Sequence, residues 1–201
     1  MPMPRLLALV AAAAVAACSK NEPPAAPAVP PAAAAPAPTS AASAAEAQQA
    51  YANASAGSGF TVGLTMGADP VLVFFDPQCP HCAELWKAVQ PLLPKLRMVW
   101  MPVGFMRSTS TPQGALLLAA KDPAATMTEH EALLANRQGG LPVPAQVPED
   151  QLAKVKANTE LLGKLGADSV PFIVYKNRQT GAYGSHAGAL QTEALAQLVG
   201  I

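Results

Sequence analysis

Cysteine is scarce in this chain of 201 residues, which has three, at positions 18, 79 and 82. Three cysteines cannot build a framework of structural disulfides, so these must be explained one by one. Formal net charge is zero, which removes the one-signed field that would gather nucleic acid. No apolar run approaches the roughly 20 residues that a transmembrane helix needs. Histidine is rarer than its usual share, at three residues, and only His130 and His186 lie away from the cysteine pair. A cysteine pair can be half of a zinc site, but such a site needs two further ligands, and there is no second Cys-x-x-Cys. Metal binding is therefore the weaker reading, and no cofactor is expected. The 51% hydrophobic content is inflated by alanine crowded before residue 57.

What is present begins with an export pattern. Arg5 supplies a short basic start, Leu6 to Ala14 an apolar run, and small residues lead into Cys18. Val15-Ala16-Ala17-Cys18 resembles a bacterial lipobox, which implies a signal peptide over residues 1–17 and lipidation of Cys18. A conventional cleavage after Ala17 is the alternative. Ser19 after the cysteine implies, by the same resemblance, sorting to the outer membrane, with a soluble periplasmic protein as the other outcome. Both place the mature chain where disulfides persist. Residues 18–57 are almost entirely Ala, Pro and Ser, with Tyr51 the lone aromatic. Such a stretch has too little to bury to offset chain entropy, so it reads as a disordered tether. Thr39 to Ala54 could form a transient helix on alanine propensity, yet it shows no amphipathic face with which to dock.

The remainder, 58–201, has the pattern of one α/β domain. Val71-Leu72-Val73-Phe74-Phe75 reads as a strand buried on both faces, ended by Asp76-Pro77. Cys79-Pro80-His81-Cys82 follows at once, opening a helix over Pro80 to Gln90. A second strand is expected over Arg97 to Val103. Helices near Pro112 to Ala120, Pro123 to Asn136 and Glu149 to Leu165 then form a helical insertion over about 107–166. Asp122 is the expected N-cap of the middle one, and Gly166 ends the last. A strand from Val170 to Tyr175, a turn over Asn177 to Gly181, a partner strand over Ala182 to Ser185 and a helix over Thr192 to Val199 complete the chain.

Two cysteines separated by two residues at a helix start can close a small disulfide. The first sits where free backbone N–H groups and the helix dipole favour a thiolate. Cys79 is thus the expected nucleophile, and Cys82, a turn further in, the group that attacks the mixed disulfide and releases the substrate. Pro80 suits the first helical turn, and a protonated His81 adds positive charge beside the thiolate. Both would raise the reduction potential by stabilising the reduced form. His130, between Glu129 and Glu131, reads as an ordinary surface residue.

Val73 to Trp86, together with Ala120-Lys121-Asp122-Pro123-Ala124, Leu165 to Pro171 and Gly188 to Gly200, resembles the catalytic domain of the DsbC/DsbG family of periplasmic thiol:disulfide interchange proteins. The resemblance implies a thioredoxin-like fold with a cis-proline at Pro171 facing the cysteines; a trans strand-boundary proline is the alternative. Val170 would lend its backbone to a substrate peptide. It also implies reduction or isomerisation of disulfides, or rescue of sulfenylated cysteines, in periplasmic substrate proteins, with electrons from a DsbD-type membrane partner. The sequence departs from the family in three ways. The Ala/Pro stretch stands where the family has a dimerisation domain, which favours a monomer held to the membrane by its lipid. His81 replaces a tyrosine. Val170 replaces a threonine, as in DsbA-like oxidases, so disulfide donation is the competing function. The position six before Cys79, acidic in many thioredoxins, is Val73. Proton transfer from Cys82 then falls to water, Asp76 or Glu84.

Overall fold

The computed structural model describes residues 41–67 and 69–201. Residues 1–40, with the expected signal peptide, Cys18 and most of the Ala/Pro stretch, lie outside them. In chain order the elements are α1 (Ala41–Ala54), β1 (Phe60–Gly63), β2 (Val71–Phe75), α2 (Pro80–Val89), β3 (Arg97–Pro102), α3 (Ser110–Ala119), α4 (Pro123–Ala135), α5 (Glu149–Lys164), β4 (Phe172–Lys176), β5 (Tyr183–Ala187) and α6 (Thr192–Val199).

The five strands form one sheet in the order β1-β3-β2-β4-β5. Only β2 and β3 are parallel, Val71 lying opposite Met98 and Phe75 opposite Pro102, and the helix α2 carries the chain between them. β1, β4 and β5 join antiparallel to their neighbours. All five residues of β2 are buried. Its side chains alternate between two cores, as the pleat of a strand requires. Val71, Val73 and Phe75 meet Leu85, Trp86 and Val89 of α2 and Leu195 and Val199 of α6. Leu72 and Phe74 meet Leu162 of α5 and Tyr51 and Ala54 of α1. Each such apolar side chain taken fully from water contributes on the order of 1.5–3 kcal/mol, which fixes the register of the central strand. Trp100 on β3 stacks edge-on against both Phe75 and Trp86, with ring centroids 5.4 and 5.1 Å apart. That cluster ties the strand before the cysteines to the helix after them.

The helices fall where their caps predict. The Asp122 carboxylate accepts the Ala125 N–H at 3.0 Å with Pro123 at the first helical position. α5 ends with Gly166 in the left-handed region and the Ala167 N–H returning to Leu162 O.

The start of regular structure differs from expectation. The alanine-rich segment, read as the end of a spacer with no docking face, forms α1 and packs on β4, β5 and α5. Two residues suffice for this. Ala54 is fully buried, and Tyr51 stacks on Tyr183 with centroids 5.2 Å apart while its hydroxyl donates to Pro70 O at 2.7 Å. Phe60–Gly63 adds an edge strand that the sequence pattern did not reveal.

Candidate active site

The site is built at the C-terminal end of β2, where the central strand gives way to α2. Cys79 is the N-cap of α2, in extended conformation, with Pro80 at the first helical position. Its sulfur therefore faces the backbone N–H groups that no helical carbonyl can reach. Cys79 and Cys82 are both free thiols and both buried, Cys79 keeping 3% of its surface exposed.

The two thiols are driven in opposite directions. Cys79 is brought from 9.0 down to about 6, first by the hydrogen bond from the Cys82 thiol. The backbone N–H groups of Cys82 and His81 add to this against the opposing effect of burial, and the His81 charge contributes least. Burial pushes Cys82 up, and the hydrogen bond and charge of Cys79 push the same way. One cysteine is thus a thiolate near neutral pH while the other holds its proton, which is the division of labour needed for attack by one and later resolution by the other.

His81 is 66% exposed and turned to Glu84, 2.9 Å from its carboxylate. That hydrogen bond raises the imidazole's pKa, so its charge persists to higher pH. The ring is nevertheless held by Glu84 in solvent, where its field is screened.

Across from Cys79 the Val170–Pro171 peptide is cis. The Cys79 sulfur lies 3.5 Å from Val170 O, to which its protonated form donates. Pro80, His81, Val170 and Pro171 are therefore brought around the two cysteines. Cys18 lies outside the described residues.

Three side chains whose supporting roles the sequence did not reveal hold the turn that presents Cys79. Asp76, fully buried, accepts the Gln78 N–H on one carboxylate oxygen and the N–H groups of Phe105 and Met106 on the other, at 2.9–3.0 Å. His130 is not a surface residue: it is fully buried. Leu141 N–H donates to its Nδ1 at 3.1 Å, so Nε2 carries the hydrogen and donates to Pro77 O at 2.7 Å. Burial keeps this imidazole's pKa low, in keeping with that neutral tautomer. Gln113 Nε2 donates to Gly139 O and Leu141 O while its Oε1 accepts from Gln78. Gly140 makes room for this arrangement: its φ is +82°, and a Cβ there would fall 2.4 Å from the His130 ring. In the sequence these contacts leave one sign, the Gly139-Gly140 pair just after the helix that bears His130. Glu131 of α4 is also buried, and it lines a cleft together with Gln78 and Pro80.

Glu84, one candidate for taking the Cys82 proton, is committed to His81 at the surface. Asp76 lies close enough for its charge to be felt at Cys82, and its backbone N–H reaches the sulfur. Among the described residues no three His, Cys, Asp or Glu side chains converge as a metal site would require, and no helix is long and apolar enough to cross a membrane.

Comparison with known proteins adds two curated relatives. The chain is 33% identical over 132 residues to the thiol:disulfide interchange protein DsbG of Pseudomonas aeruginosa, covering 65% of this chain and 50% of that protein. It is 35% identical over 114 residues to the protein of the same name from Escherichia coli, covering 54% and 44%. Over these residues the chain resembles the DsbC/DsbG family. The chain spans about half the length of the curated relatives it matches. No family model matches. Among solved structures, a periplasmic thioredoxin-like protein from Salmonella enterica serovar Typhimurium superposes with a TM-score of 0.56 at 16% identity, over 71% of this chain and 88% of that one. A disulfide interchange protein from Neisseria gonorrhoeae gives 0.56 at 19%, over 71% and 93%. These two matches show the fold of the DsbG-like domain to be thioredoxin-like.

Proposed function

We propose that the protein is a periplasmic thiol:disulfide oxidoreductase of DsbG-like type, which reduces or isomerises disulfides, or reduces sulfenylated cysteines, in exported proteins. The observation that carries this reading is the position of the Cys79 sulfur, 3.5 Å from the carbonyl that precedes a cis-proline. An extended substrate peptide pairing with the Val170 backbone would bring its own sulfur to Cys79. Cys79 attacks, and Cys82 resolves the mixed disulfide. Cys79→Ser abolishes exchange, whereas Cys82→Ala leaves substrates covalently held on Cys79. Absence of such adducts from cells expressing Cys82→Ala would refute the assignment.

A DsbA-like oxidase is the second reading, supported by the lowered Cys79 pKa and by Val170 before the cis-proline. Trapping the thiols in living cells by acid quench and alkylation separates the two. A pair found mainly reduced marks a reductase fed by a DsbD-type donor; a pair found mainly oxidised marks an oxidase. The proposal includes export by residues 1–17, outer-membrane anchoring through lipidated Cys18, residues 18–40 as the tether, a thioredoxin-like head and a monomeric state. Mass spectrometry of the mature N-terminus tests the lipid.

A further inference from the structure

Between α2 and α4, beside the cysteines, lies a cleft of about 460 Å³ whose walls include Gln78, Pro80 and Lys87 on one side and Arg107 and Glu131 on the other. Gln78 and Pro80 flank Cys79 in sequence, so the cleft opens next to the nucleophile. Glu131 is the unusual member of this wall. Only 6% of it is exposed, and its Oε2 has no hydrogen-bond partner. A carboxylate buried with a bare oxygen is costly, whereas a carboxylic acid in that position carries a proton that nothing else claims.

We propose that Glu131 is the acid that protonates the sulfur leaving the substrate when Cys79 attacks. This rests on the proposed role of Cys79 as nucleophile. In the step, the Cys79 thiolate forms a bond to one sulfur of a substrate disulfide and the substrate's S–S bond breaks. The departing thiolate takes the Glu131 proton and leaves as a thiol, and Glu131 becomes a carboxylate. No net oxidation occurs until Cys82 attacks Cys79, when the two cysteines give up two electrons and the second substrate sulfur leaves with the Cys82 proton. Glu131 recovers its proton from water through the cleft.

The electrostatics fit this sequence. Burial brings the Glu131 carboxyl up to about 7, Lys87 opposes it, and the charge of Cys79 raises it further. Glu84 and Arg107 share the cleft, the one disfavouring and the other favouring ionisation. While Cys79 is a thiolate, its charge favours the protonated form of Glu131. Once attack has moved that negative charge onto the leaving sulfur, an alkyl thiolate more basic than the Glu131 carboxylate stands beside the acid, and the proton passes to it.

The test uses two uncharged disulfides with the full-length reduced protein in stopped-flow. Dithiodipyridine releases a thiol so acidic that no proton is required; hydroxyethyl disulfide releases an ordinary alkyl thiol that needs one. Glu131→Gln is expected to leave the first rate within about twofold of the wild type. It slows the second on the order of 10-fold to 10²-fold, at or below the low end of what a positioned acid supplies. In the wild type the ratio of alkyl to aryl rate falls as pH rises through about 7, and in the variant it is flat. Equal loss against both disulfides, loss against neither, or a flat wild-type ratio overturns the proposal. Should Glu131→Gln fail to fold, the wild-type ratio and Glu131→Asp, which keeps an acid at a shorter reach and should slow only the alkyl reaction, decide it. Failure of the underlying reading looks different: dithiodipyridine would then react no faster with the wild type than with Cys79→Ser.

Discussion

Replacing Cys82 by alanine tests which contact makes Cys79 a thiolate. The largest influence that lowers the Cys79 pKa to about 6 is the hydrogen bond from the Cys82 thiol. A hydrogen bond to a charged group is worth about 1.5–3 kcal/mol, or roughly one to two pKa units at 1.36 kcal/mol per unit. Cys82→Ala should therefore bring Cys79 up to roughly 7–8, and at pH 6.5 the thiolate fraction should fall from about three quarters to about a quarter or less. Ultraviolet absorbance of the thiolate against pH reads this directly. Titration of the wild type should show a single step, because burial keeps Cys82 protonated beyond it. Cys82→Ser, which retains a donor, should lie between the two. A Cys82→Ala midpoint within about 0.3 unit of the wild type would refute the reasoning and transfer the credit to the helix N-terminus.

The same shift sets the redox consequence. An acid whose pKa is depressed stabilises the reduced protein at pH above its shifted value, and this is lost as pH falls through about 6. At pH 7 the part realised is about 1.4 kcal/mol, or about 30 mV for two electrons, which makes the disulfide that much more oxidising than one between ordinary thiols.

His81→Gln should move the Cys79 midpoint by less than about half a unit, since an exposed, Glu84-paired ring acts through screened solvent; a shift as large as that of Cys82→Ala would count against this. His81→Tyr should lower the potential only slightly, on the order of 10 mV, as read against a glutathione buffer. Gly140→Ala should destabilise the fold by at least about 1 kcal/mol in urea titration, because φ is positive there and the new methyl meets His130. Tyr51→Ala should cost on the order of 3 kcal/mol and Tyr51→Phe about 1 kcal/mol if α1 is an integral part of the domain. No change in the unfolding midpoint would mean that α1 is not docked in solution.

The cysteine turn was legible because local rules governed its geometry. A fully apolar strand ended by Asp-Pro and followed by Cys-Pro-His-Cys leaves little freedom in where the helix starts, and α2 begins at Pro80. The elements supporting the site were less visible because each depends on partners distant in sequence. His130 sits between two glutamates, and what buries it is a carbonyl 53 residues earlier and an amide 11 residues later. α1 has little apolar asymmetry, so its docking rests on buried Ala54 and on Tyr51 finding Tyr183 and Pro70 O. The buried state of Glu131 depends likewise on α4 packing over the cysteine turn, which no periodicity within α4 announces.

Asp76 holds the Phe105–Met106 loop by its amides and leaves both side chains free, 48% and 45% exposed beside the cysteine turn. Any residue but proline offers the same N–H groups, so these two positions are interchangeable parts on a fixed mount. Substitutions at these two positions would remodel the surface beside the cysteines and leave the cysteine turn itself unaltered.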